Sequence, residues 1–214
     1  MLGQKVKMET KMTKHGDMPE NRAPGEVRVL DGQHRVNAIK RILESYDATP
    51  HVGLRTVVCN AAIERVDADG EETIELPKPR ELRASAAVVR CLLPIKLRGW
   101  EIKAMRKIMG LTLADLAKKL DERTAVETVS RWEADAQPMG GYAEKILRLH
   151  VCEELRKDAP GIEYNAGMIA DLRIRDPWKA DPAYDLPPIV LTLIQLKEQS
   201  SGSIIETWNA KKAA

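Results

Sequence analysis

The stretch LTLADLAKKLDERTAVETVSRWEADAQP, Leu111 to Pro138, decides how this chain is read. Leu113, Leu116, Ala117 and Leu120 recur at i, i+3, i+4 and i+7, one apolar stripe of a helix. Thr112 stands before them as an N-cap, and Asp115 at the third helical position favours that start. A second helix is predicted from about Ala125 to Ala134, with Val129 and Trp132 inward. Two helices that cross closely need a small residue where they touch, and Ala117 supplies it. Glu127, Ser130, Arg131 and Ala134 then lie on the outer face of the second helix.

Helices are expected on both sides of this pair. Trp100 to Met109 carries Ile102, Met105 and Ile108 on one side, and Gly110 closes it. GGYAEKILRLHVCEEL, Gly140 to Leu155, gives a further helix, ended by Pro160-Gly161. Farther upstream the pattern is mixed. Residues 1–25 are polar and aperiodic and read as disordered. Val27 and Val29 suggest a short strand, Asp31-Gly32 a turn, and Val36, Ile39 and Leu43 one face of a helix. RTVVCNAAIERV and EETIELP read as strands joined by a turn at DADG, and a helix is expected from Glu81 to Leu92. At the other end, WKADPAYDLPP is an irregular linker. IVLTLIQLKE and IIETW, separated by SSGS, read as a β-hairpin, with a helix through Leu191 to Lys197 as the competitor.

The fold class expected is therefore α+β, mainly helical, with a central helical bundle, a small N-terminal α/β segment and a C-terminal β-hairpin. The boundaries are a disordered 1–25, a dimerisation or partner-binding segment over 26–95, the bundle over 96–160, and a linker with the hairpin over 161–214.

Composition excludes several classes. No apolar run reaches the length of a membrane span, and the polar N-terminus shows no signal peptide, so a cytoplasmic chain is expected. Cys59, Cys91 and Cys152 are far apart with no Cys-x-x-Cys, and His15, His34, His51 and His150 have no metal-ligand spacing. No metal and no cofactor is expected. Neither a Walker loop nor a dinucleotide-binding glycine pattern occurs, so nothing points to an enzyme and no catalytic residue is named. The net charge of +2 is uninformative, but its distribution is not. Lys96, Arg98, Lys103, Arg106, Lys107, Lys118 and Lys119 face only Glu101 and Asp115 over residues 96–119, which would favour phosphate contacts or form a solvated helix face.

IKAMRKIMGLTLADLAKKL, Ile102 to Leu120, followed by TVSRWEADAQP, Thr128 to Pro138, resembles the XRE, or Cro/CI-type, helix-turn-helix family over roughly Arg98 to Leu149. The resemblance implies that the second helix of the motif enters a DNA groove. The expected DNA-binding set is Thr112, Lys118, Lys119, Arg123, Thr124, Val126, Glu127, Thr128, Ser130 and Arg131. Arg131 can pair with guanine O6 and N7 or grip a phosphate. Glu127 can accept from cytosine N4, orient Arg131, or pair with it on a solvated face. Arg106 and Glu133 match family positions that form a partly buried ion pair. Asp121 stands where the family turns through glycine, and DERTAVE is about two residues longer than usual, so an atypical corner is expected.

Residues 52–93 are loosely similar to the hairpin and linking helix of MqsA-type (YgiT-type) regulators and antitoxins, without their zinc-binding cysteine pairs. LDGQHRVNAIK, Leu30 to Lys40, resembles the Asp-Gly-x-His-Arg signature of ParB-like folds over a dozen residues; a turn and helix cap is the reading preferred. The function expected is a sequence-specific DNA-binding transcriptional regulator. It would be a dimeric repressor acting on double-stranded DNA at an inverted repeat, with the N- and C-terminal segments dimerising or binding a protein or small-molecule partner. An antitoxin that autoregulates its operon and a non-DNA protein-interaction adaptor are the alternatives.

Overall fold

The computed structural model describes residues 38–66, 70–197 and 203–210. Residues 1–37 lie outside them, with the strand read at Val27 and Val29, the turn at Asp31-Gly32 and Val36 of the expected helix, as do Asp67 to Asp69 of the DADG turn and most of SSGS.

A five-stranded sheet and a helical bundle share one apolar core. The order is β1 (Ala38–Asp47), α1 (Thr49–Val52), β2 (Thr56–Val66), β3 (Glu72–Glu75), α2 (Pro79–Leu92), α3 (Gly99–Ile108), α4 (Leu113–Leu120), α5 (Val126–Glu133), α6 (Gly141–Leu155), α7 (Ala166–Ala170), β4 (Ile189–Lys197) and β5 (Ile204–Ala210). The C-terminal strands form the expected antiparallel hairpin, with Leu191 opposite Ala210 and Lys197 opposite Ile204. The helix through Leu191 to Lys197 does not form; those residues are strand β4. The hairpin does not stand alone. β4 runs parallel to β2, with Thr56 beside Ile189 and Cys59 beside Thr192, so both ends of the chain build one sheet. β1 and β3 pair antiparallel with β2.

The helix read through Val36, Ile39 and Leu43 is corrected. Ile39 and Leu43 lie in strand β1, paired with Arg65 and Ala62 of β2. The physical reason is that a spacing of four, Ile39 to Leu43, fits the two-residue alternation of a strand as well as a helical face, and pairing with β2 decides between them; that pairing shifts register between Ile39 and Arg41 and between Leu43 and Ser45. Each shift changes the phase of the two-residue alternation. Leu43 and Tyr46, three residues apart across the second shift, both pack against the core while Ile42 is exposed. Asn60, with φ of 52°, marks the matching irregularity in β2.

α2 spans the junction. One side packs on β4 and β5 and the other on α6, so Leu82, Ala86, Val88 and Cys91 are all fully enclosed. The periodic stripe expected there widens into an almost wholly buried helix. α3 to α6 then form the bundle, with Ile102, Met105, Leu116, Ala117, Val129, Trp132, Leu147 and Val151 as its core.

A buried polar cluster ties the bundle to α2. Arg148 of α6 is fully enclosed and donates to Glu144 Oε1 (2.8 Å) and to the carbonyls of Cys91 (2.7 Å), Leu93 (2.8 Å) and Ile95 (2.6 Å). Arg90 of α2 pairs with Glu101 of α3 and donates to the carbonyls of Ile95 (2.9 Å) and Lys96 (2.8 Å). Glu144 also accepts from Leu97 N (2.9 Å) and Lys96 Nζ (3.0 Å). Every charge in the cluster is paired and hydrogen-bonded, the condition on which a protein interior tolerates it.

Candidate nucleic-acid interface

Local chemistry fixes both helices of the motif. Thr112 and Asp115 form a reciprocal capping box: Asp115 N donates to Thr112 Oγ1 (3.2 Å) and Thr112 N donates to Asp115 Oδ2 (3.0 Å). The hydrogen bond from Thr112 holds the Asp115 carboxyl below its ordinary pKa of 3.8. Gly110, at φ of 72°, makes the left-handed turn that frees the chain from α3 to reach this cap. Ala117 is buried where α4 meets α5, as a close crossing requires.

The corner between α4 and α5 spans residues 121–125. Asp121 is extended (φ −168°), so no left-handed residue is needed there. Its carboxylate accepts from Arg123 N (2.9 Å) and its carbonyl from Thr124 N (2.9 Å), which makes an aspartate-led turn in place of the glycine turn. The extra residues pass around this turn, and α5 begins at Val126 with Ala125 at its N-cap.

α5 is sharply two-faced. Val129 is fully buried and Trp132 nearly so, while Glu127, Ser130 and Arg131 are exposed and Val126 is 39% exposed. Thr124 and Thr128 are half-buried at the same end. Glu127 and Arg131 form no ion pair with each other among the described residues, so both present free charge on one face.

Arg106 and Glu133 lie across α3 and α5. Arg106 Nε and Nη2 donate to Glu133 Oε1 (2.6 Å) and Oε2 (3.0 Å), and Nη1 donates to the Leu111 carbonyl (2.8 Å). Glu133 raises the guanidinium pKa further by accepting these bonds. Two residues without a sequence signal complete the frame. Gly99 N donates to Asp135 Oδ1 (2.8 Å), and Asp135 adopts φ of 54° just after α5. A β-carbon on Gly99 would run into the Trp132 carbonyl and lie 2.6 Å from the Glu133 carbonyl. Glycine is needed there because the two backbones touch.

The basic run over 96–119 is less free than its sequence suggests. Lys96 pairs with Glu144, Arg98 reaches Asp135 (3.6 Å) and lies over the Trp178 ring, and Arg106 pairs with Glu133. Lys119, in the expected DNA set, pairs with Glu154 (2.6 Å), and this lowers the Glu154 pKa. Lys118 and Arg123 remain exposed beside the corner. Thr112, exposed at the α4 cap, and α5 complete the expected set. These residues therefore lie on one continuous two-helix unit.

Residues 102–150 match the family model described as helix-turn-helix, which spans most of α3, all of α4 and α5, and most of α6. The match supports the XRE-type reading of this unit and a DNA-binding helix-turn-helix regulator; the sheet lies outside it. No curated protein and no solved structure matches the chain. Among the described residues, no helix is long and apolar enough to cross a membrane.

Proposed function

We propose that this chain is a cytoplasmic, sequence-specific transcriptional regulator that lays α5 in the major groove of double-stranded DNA. The observation that carries the reading is the exposed row Val126, Glu127, Ser130 and Arg131 opposite buried Val129 and Trp132. Arg131 pairs with a guanine edge, and Glu127 accepts from a cytosine amino group or holds Arg131. Ser130, Thr124, Thr128, Thr112, Lys118 and Arg123 contact the phosphates on either side, with Lys119 available once it releases Glu154. A homodimer places two copies of α5 on an inverted repeat, and occupancy blocks a promoter. The outer strands of the sheet support dimerisation, because Ile42 and Ile204 are 60% and 69% exposed there.

Selection of bound duplexes from random DNA by the purified protein tests the reading. A defined, two-fold symmetric site is expected. On that site Arg131→Ala should cost ~1–3 kcal/mol and relax preference at one base pair. Glu127→Ala should bind more tightly but less selectively if Glu127 reads a base. An Arg131→Ala protein that stays folded with unchanged affinity and selectivity refutes the groove placement and moves the adaptor alternative to the front.

A further inference from the structure

A groove of about 790 Å³ lies between α2 and α3, on the side of α3 away from α5. Its floor is apolar: Val52, Ala84, Ala104, Ile108 and Leu155. Trp100, 42% exposed, stands at its wall. Its rim is charged in an uneven way. The two acids, Glu154 and Asp158, are each paired, with Lys119 (2.6 Å) and with Arg80 (2.9 Å). Arg83, Lys103 and Lys107 are exposed and have no carboxylate partner among the described residues. Ligand sites combine this volume with an apolar lining and a few converging polar groups.

We infer that this groove binds a small amphipathic anion, with its apolar body on the floor beside Trp100 and its carboxylate, sulfonate or phosphate between Arg83, Lys103 and Lys107. Charge decides the occupant. Residues 1–37 carry Lys5, Lys7, Lys11, Lys14, Arg22, Arg28 and Arg35 against Glu9, Asp17, Glu20, Glu26 and Asp31, and residues 211–214 add two lysines. Neither segment complements a cationic rim. Arginine and lysine around an aromatic wall suit an anion joined to an apolar ring. None of its residues belongs to the exposed row of α5, but Glu154 at its rim holds Lys119 of the expected DNA-binding set, so the two sites adjoin.

The test is a titration of the full chain with 1-anilinonaphthalene-8-sulfonate, set against N-phenyl-1-naphthylamine, which has the same rings and no charge. Saturable binding of the sulfonate at one site per chain is expected, weakening with added salt. Lys103→Glu/Lys107→Glu should weaken the sulfonate about tenfold and leave the neutral dye within about twofold, since each exposed charge contact contributes modestly. Lys103→Gln/Lys107→Gln, which introduces no repulsion, should weaken it about threefold and serves if the reversed pair does not fold. Equal sulfonate affinity in the parent and both variants overturns the inference. So does loss of the dye signal in Ile42→Ser, which would place the dye on the sheet. A parent that binds no sulfonate, with variants that lose affinity for duplex DNA at every sequence, would make these lysines phosphate contacts and also overturns it.

Discussion

Replacing Arg148 by leucine should come close to unfolding the protein. The side chain is completely enclosed, and its five N–H groups are all assigned: two to Glu144 Oε1 (Nε at 3.3 Å, Nη2 at 2.8 Å) and one each to the carbonyls of Cys91, Leu93 and Ile95. Leucine fills part of the volume but donates nothing. The Ile95 carbonyl keeps its bond from Arg90, but the Cys91 and Leu93 carbonyls lose the guanidinium, and an orphaned buried acceptor costs ~1–3 kcal/mol. Glu144 keeps Lys96 and Leu97 N, so its carboxylate is not left alone. The contributions are not additive, and the extra apolar contact offsets some of the loss. A net cost of ~4 kcal/mol follows, within the range for breaking a buried ion pair, against a total stability of ~5–15 kcal/mol for a domain.

Urea unfolding followed by far-ultraviolet circular dichroism reads this directly. With a slope of ~2 kcal/mol per molar, the midpoint should fall by about 2 M at unchanged slope. Arg148→Lys should be intermediate, because one ammonium restores the charge beside Glu144 but cannot reach carbonyls on both sides of it. A leucine variant within ~0.5 M of the parent midpoint would refute the reasoning, because the carbonyls would then have found other partners. A lysine variant equal to the parent would show that charge, not the planar fork, holds the 93–98 segment.

Arg106→Ala and Glu133→Ala should both lower the melting temperature, with a cost of ~3 kcal/mol at this partly buried pair. Arg106→Ala should cost more, since it also frees the Leu111 carbonyl; the reverse order in thermal melts would contradict the geometry. Gly99→Ala should destabilise by ~3 kcal/mol or more, because backbone atoms of Trp132, Glu133 and Asp135 cannot yield as a side chain would. A parent-like melt of that variant would mean the α3–α5 contact is looser than described. The Asp115 carboxyl has a folded pKa below 3.8, so its stabilising share is complete above that value and is lost as pH falls through the lowered one. The stability difference between the parent and Asp115→Asn should therefore shrink on acidification below about pH 4, and a difference that is flat or grows toward acid would reverse the sign.

The parts legible in sequence were those decided within a few residues. The Thr112–Asp115 cap, the stripe around Leu116 and Ala117, and the two faces of α5 all depend on spacings of three and four. The Arg106–Glu133 contact, 27 residues apart, was implied only by the resemblance to a helix-turn-helix family. β1 was misread because the four-residue spacing of Ile39 and Leu43 fits a strand as well as a helix, and the pairing with β2 that decides between them is not local. The pairing of β2 with β4 was out of reach because Thr56 and Ile189 meet only through the whole intervening bundle. Arg148 looked like an ordinary polar position of α6, since its acceptors are backbone carbonyls more than fifty residues away, which carry no sequence signature. In the site, residue type and outward direction were readable. The pairing of Lys119 with Glu154 was not, because it depends on how α6 passes α4.

These contacts determine how α5 is carried. The segment from Leu93 to Arg98 joins α2, which packs on the sheet, to α3, which starts the bundle. A joint of this kind is usually exposed and poorly bonded. Here its carbonyls are held by Arg90 and Arg148, its Leu97 and Arg98 N–H groups donate to Glu144 and Glu101, and Lys96 N donates to the Arg175 carbonyl (2.8 Å). The next residue, Gly99, donates to Asp135 at the end of α5. A continuous series of hydrogen bonds, mostly between side chains and backbone, thus runs from α2 to the end of the helix proposed to enter DNA. α5 cannot swing on a flexible tether, because moving it relative to the sheet would strand several buried polar groups at once. In a dimer formed through the sheet, the distance between the two copies of α5 would be a fixed property of that interface, and the spacing of half-sites in the selected DNA would report it. Half-sites bound equally well at many spacings would require this joint to open, at the cost of the same hydrogen bonds.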